Sequence, residues 1–144
     1  MNDPFNLERF VRAQEPVIGE VLAELRRGRK ESHWIWFIFP QLQGLGRSWM
    51  AEEYGIASPD EAKAYLAHAV LNPRLIECTR LVLEVEGSSI EQIFGSVDAM
   101  KFRSSMTLFG ETADAGTTLF ADALRKYFAG EPDRLTLNRL RGGQ

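Results

Sequence analysis

Apolar residues along this chain recur at spacings of three and four, and the breaks between these runs are helix punctuation. Asp3-Pro4 reads as an N-cap followed by proline at the first helical position, leading into Leu7, Phe10, Val11 and Gln14. Pro16 restarts a second helix along Val17, Val21, Leu22 and Leu25. It closes at Gly28, with Arg26 and Arg27 in its last turn, where cations suit the helix dipole. Ser58-Pro59-Asp60-Glu61 has the form of a capping box and opens a helix through Ala62, Tyr65, Leu66 and Ala69. Asn72-Pro73 opens the next, along Leu75, Ile76, Thr79, Val82 and Leu83 to a stop at Gly87. Ser88 with Glu91 predicts a capped short helix from Ile90 to Phe94. Ser96 predicts a cap for a helix from Val97 to Phe109, with Gly110 as its end. A last strong stripe (Leu119, Phe120, Ala123, Leu124, Tyr127, Phe128) lies within 115–128, and a helical turn can follow from Thr136.

Sustained period-two alternation and Asn-Gly or Asp-Gly hairpin signals are both missing. The ambiguous stretch is Ser32 to Pro40, which by propensity alone is a buried strand. A strand needs a partner and the sequence offers none, so the stretch is read as a buried helix or tight coil ended by Pro40. The expected fold is all-α: one domain over residues 1–144, with six to eight helices of unequal length and at most a token β-bridge. Trp36, Phe39, Leu66, Ile76, Val82, Phe94, Phe102, Met106, Phe109, Phe120 and Leu124 are its expected core.

Composition narrows the class. With 44% hydrophobic and 26% charged residues the chain is globular in type, and a domain of this size buries roughly 68% of its unfolded surface. A net charge of −3 argues against a dedicated nucleic-acid binder. One cysteine, Cys78, excludes an internal disulfide and suits a reducing, cytoplasmic setting; with two histidines it also excludes a zinc site of the usual Cys/His kind. Met1-Asn2-Asp3-Pro4 lacks the pattern of a secretory leader. The longest apolar run, Trp34 to Phe39, is far short of a membrane span.

The strings SHWIWFIFPQLQGLG (32–46), YGIAS (54–58), AYLAH (64–68), RLIEC (74–78) and IFGSVDAMKFRSSMTLF (93–109) resemble the family catalogued as domain of unknown function 1810. The resemblance runs from the first helix to about residue 130, nearly the whole chain. It implies a compact helical fold and carries no established activity. The chain departs from the family pattern at His68-Ala69 and Leu71-Asn72, where His-Pro and Leu-Gly are usual; both lie at a helix junction. The label calpastatin, sometimes attached to such proteins, does not fit. Inhibitors of that type are long and disordered, and this chain has a folded composition.

Three places can carry chemistry. His33 heads the aromatic run beside Trp36 and Gln41; an imidazole serves as acid or base and an indole can stack on a flat ring. The bland reading is an aromatic core. Gly44, Gly46, Arg47 and Ser48 form a turn into a short helix, where backbone amides and a guanidinium suit a phosphate or carboxylate. That turn matches neither the Walker pattern nor the dinucleotide fingerprint, so no cofactor is expected. Lys101, Arg103, Ser104 and Ser105 share one helix, and serines are poor helix-interior residues, by about half a kcal/mol each. Their hydroxyls either meet a ligand or bond back to carbonyls. Two functions remain. One is an anion- or nucleotide-binding domain, or an enzyme, taking a phosphorylated small molecule, with His33, Lys101, Ser104 and Ser105 as its chemical groups. Its ligand contacts would be Trp36, Gln41, Gly44, Gly46, Arg47, Ser48 and Arg103. The other is a non-catalytic interaction module whose aromatics are only core.

Overall fold

The structure, a computed structural model, describes residues 3–142. It is 62% helix, and among the described residues no strand forms. The helices are α1 (Glu8–Gln14), α2 (Ile18–Arg26), α3 (Ile35–Ile38), α4 (Trp49–Glu53), α5 (Pro59–Ala67), α6 (Leu71–Glu84), α7 (Ile90–Phe94), α8 (Ser96–Thr112), α9 (Leu119–Phe128) and α10 (Arg134–Leu140). These ten described helices exceed the expected six to eight because α3 and α4 are single turns of four and five residues, too short to announce a period. The ambiguous stretch is indeed helix, for one turn, and Phe39 and Pro40 are buried behind it. The token bridge pairs Leu42 with Ile56.

Several ends differ from the sequence reading. Asp3 caps as expected, its carboxylate accepting the amides of Leu7 and Glu8, but a left-handed Asn6 delays α1 to Glu8. Helix α6 begins before Asn72-Pro73, because His68 Nδ1 accepts the amides of Val70 and Leu71. The capping box sits one residue on, at Ser89 with Gln92. Gly110 takes no left-handed conformation, so α8 runs through it to Thr112. Helix α6 has no basic residue in its last turn; its C-terminal carbonyls are met from α9, where Lys126 donates to Leu83 and Val85 and Tyr127 Oη to Val82.

The core surrounds α8, which packs against α3, α5, α7, α9 and α10. From Ser104 to Phe109 this helix is buried all round. Phe39, Phe94 and Phe102 meet in front of it, and Tyr65, Phe109 and Phe120 behind. Of the expected core, Trp36, Leu66 and Ile76 are half-buried and the other eight are buried. No described helix is long and apolar enough to cross a membrane.

One buried charge fixes the approach to α3. Glu24 of α2 is 1% exposed. Its Oε1 accepts the Glu31 and Ser32 amides and the Trp34 indole N–H at 2.8, 3.1 and 2.9 Å, and its Oε2 the Ser32 hydroxyl at 2.6 Å. Burial opposes ionisation, but these hydrogen bonds outweigh it and bring the carboxyl down from 4.5 to about 2. A depressed carboxylate contributes stability above its unfolded value and loses it as pH falls through the folded one, here between 4.5 and about 2. Glu24→Gln should therefore lower stability at pH 7 by on the order of 2–3 kcal/mol, or roughly 4–12 °C in Tm. It should also flatten the acid limb of stability against pH. A loss under about 0.5 kcal/mol in chemical denaturation contradicts this account.

Candidate functional site

The aromatic run divides by exposure. Trp34, Ile35, Phe37, Ile38 and Phe39 are buried, and Trp36 alone among them is half-buried, because a single helical turn cannot turn every side chain inward. Across from it stands α8. Lys101 Nζ lies 5.4 Å from the centroid of the Trp36 ring, a cation–π contact between residues far apart in sequence. The Trp36 Nε1 is shielded from solvent and finds no acceptor among the protein's own groups. Lys101 also faces Asp98 at 3.5 Å, and the second oxygen of Asp98 takes Lys30 at 2.8 Å. Lys30 donates further to the Ser32 carbonyl and stands 5.0 Å from the Trp34 ring. Two ammoniums thus share one carboxylate, leaving the group at net +1. The Lys30 side chain is 6% exposed and that of Lys101 23%, so Lys101 keeps the open side.

Other anticipated residues go elsewhere. His33 is exposed at the head of the run. Gln41 is half-buried, and its carbonyl accepts the Ile56 amide. Ser48 caps α4 through the Ala51 amide, and Arg47 is exposed. Gly44, at φ +95°, lies against the Arg139 guanidinium of α10, and a Cβ there would come within 2.4 Å of it. Gly46 packs on Ala51. Of the two readings open for the serines of α8, the bond back to a carbonyl is the one Ser104 makes. Ser104 is 5% exposed and donates to the Met100 carbonyl, while Ser105 is 0% exposed with its hydroxyl unpartnered. Arg103 donates to the Glu131 carbonyl and covers the Phe128 ring, which ties the α9–α10 turn to α8. What comes together is Trp36 with Lys101.

The family model described as "Protein of unknown function (DUF1810)" matches residues 4–140. The chain belongs to this family. It is similar to the conserved hypothetical protein Rv1873 from Mycobacterium tuberculosis, known from a crystal structure. The two share 55% sequence identity over 96% of this chain and 99% of that one, with a TM-score of 0.94. No curated protein matches the chain. The helical fold implied by the family resemblance is the one observed, and neither comparison carries an activity.

Sequence reasoning missed Lys30 and Asp98. Lys30 follows Arg26, Arg27 and Arg29, which are all exposed, and only the fold draws it away from them onto α8. The Asp98-to-Lys101 spacing of three was a readable helical pair. Two grooves were also missed. One, of about 410 Å³, is floored by Arg9. Its guanidinium is already spent on the carbonyls of Phe5, Asn6, Glu53 and Gly55 and on Glu61, which leaves no donor for a ligand. The other, of about 670 Å³, lies among α5, α6 and the end of α8. Cys78 is sealed in the core, and burial pushes its thiol up to about 12, which removes it as a nucleophile at neutral pH.

The burial of Ser105 makes a separable prediction. Ser105→Ala removes an unpartnered buried hydroxyl and gains helix propensity, so stability should hold or rise by about 0.5–1 kcal/mol, up to roughly 4 °C in Tm. A Tm lowered by more than a few degrees in a calorimetric scan shows that the hydroxyl has a partner the geometry does not reveal.

Proposed function

We propose that this domain binds a small anionic ligand, a phosphorylated metabolite or nucleotide, on the face shared by Trp36 of α3 and Lys101 of α8. The observation that carries the reading is the Trp36 indole N–H, shielded and without an acceptor, in the same ring over which an ammonium stands. A buried donor left unsatisfied costs about 1–3 kcal/mol, and native structures seldom leave one so. A phosphate or carboxylate oxygen supplies the acceptor, and the net positive charge of Lys30, Asp98 and Lys101 favours it. The Lys101 ammonium sits on a flexible stem and can turn toward such an oxygen. His33, exposed at the head of the same segment, is the candidate acid or base if the bound molecule is also turned over.

The interaction-module reading draws on a different observation. Val97 and Met100 are 67% and 49% exposed, three residues apart on α8 and next to Lys101. Large apolar side chains so placed suit a protein contact as well as a ligand rim.

A thermal-shift screen against ATP, GTP, inorganic phosphate and sugar phosphates separates the two readings. A ligand at 100 times its Kd contributes about 2.7 kcal/mol, or roughly 5 °C or more. The expected result is such a shift from at least one phosphorylated compound, abolished in Lys101→Met and reduced in Trp36→Phe, with unliganded melting temperatures within a few degrees of the parent. A flat screen with both variants folded sinks the anion-binding reading.

A further inference from the structure

We propose that the groove among α5, α6 and the C-terminal end of α8 is a second, independent site, built for a small zwitterion with its charges at opposite ends of a short apolar segment. The cavity of about 670 Å³ has the size of a small-molecule site. Leu66 of α5 and Ile76 of α6, both half-buried, line it with apolar surface. Its charges are divided between its walls. Lys63 stands on α5, one turn before Leu66 and Ala67. On other elements of the same lining, Glu111 lies in the last turn of α8 and Asp114 in the loop that follows. No ion pair or hydrogen bond within the protein engages these three exposed side chains, which leaves them available to a ligand.

The placement of the acids is the telling feature. A helix C-terminus is the negative end of the macrodipole and favours cations, yet α8 has no basic residue in its last turn, carries Glu111 there and is followed by Asp114 just beyond its cap. Each of them raises the energy of that end, and an ammonium placed between them lowers it. The opposite sign holds at the other wall. Helix α6 begins beside the groove with no acidic residue in its first turn, and Asn72 of that turn lines the cavity with an unengaged carboxamide. Its first amides are taken by His68, so α6 contributes field while Lys63 and Asn72 supply the donors for a carboxylate or phosphate. A metal ion fits poorly, since no cluster of three or more His, Cys, Asp or Glu forms among the described residues. An organic ammonium joined to an anionic group satisfies both walls, and methylenes between them cover Leu66 and Ile76.

The test uses ω-amino acids of three to seven methylenes as probes, with hexanoate and hexylamine as singly charged controls, followed by amide chemical shifts of the full-length chain. The expected result is that one chain length shifts the amides of Leu66, Asn72, Thr112 and Ala113 in a saturable way, at least tenfold more tightly than either control. Glu111→Gln combined with Asp114→Asn, or Lys63→Met alone, should weaken that binding at least fivefold, and added salt should weaken it too. Lys63, Glu111 and Asp114 are all exposed, so these variants keep the parent fold, as an unchanged amide spectrum outside the groove verifies. Lys101→Met should leave this binding untouched, which keeps it distinct from the Trp36 site. Hexylamine binding as tightly as every zwitterion, with Lys63→Met silent, overturns the two-ended site. The absence of saturable shifts for all probes at millimolar concentration overturns it altogether.

Discussion

A chain built from short helices must satisfy the backbone polar groups of many irregular connections, and here one carboxylate does most of this for the segment that matters. Glu24 gathers two amides, a hydroxyl and an indole N–H from residues 31–34 into the space beside α2. A buried carboxylate is unfavourable unless such donors surround it, and the donors would be unfavourable without it. The mutual requirement leaves the segment one place to go. Trp34 is fixed by it, the single turn of α3 follows in register, and Trp36 is turned outward toward α8. Arg9 of α1 plays the matching part elsewhere, joining the Phe5 and Asn6 carbonyls before α1 to the Glu53 and Gly55 carbonyls and the Glu61 carboxylate around the α4–α5 connection. Both are charged residues doing what regular secondary structure does elsewhere, which is to leave no backbone group without a partner.

Much of the architecture was legible in the sequence because its helices are long enough to show their period and begin with residues whose side chains accept amides. Ser58 and Asp3 perform the capping their positions announce. Legibility failed where a nonlocal contact replaced the local signal. Gly110 looked like a stop, but a glycine ends a helix only when it turns left-handed, and this one does not. The serines of α8 left two readings open because helical spacing says which residues share a side and nothing about what will cover it. Once α8 proves to be central, with neighbours on every side, small side chains that bond back to carbonyls or pack silently are what close packing admits.

The candidate site was half legible for the same reason. Trp36 and Lys101 were each conspicuous alone, and their meeting depends on the position of α3, which the carboxylate of α2 dictates. Lys30 was masked by neighbouring arginines that stay in solvent. The second groove had no local signature, because its walls come from three helices and its character lies in the charges left over after folding. The two places proposed for ligands lie toward opposite ends of α8. Lys101 and Glu111 stand ten residues apart on α8, roughly 15 Å at 1.5 Å per residue, so the sites are mechanically joined but screened from one another at physiological salt.

The way α6 ends bears on how the molecule holds together over time. Its last carbonyls are met by Lys126 and Tyr127, more than 40 residues further along the chain. A locally capped helix can persist as a lone fluctuating turn, whereas this one is finished only when α9 is docked. The ends of α6 and α9 therefore open and close as one cooperative unit, and slow amide exchange in the last turn of α6 reports on the seating of a helix that lies far from it in sequence. Because α9 packs in turn on α8, loosening of that unit reaches the central helix.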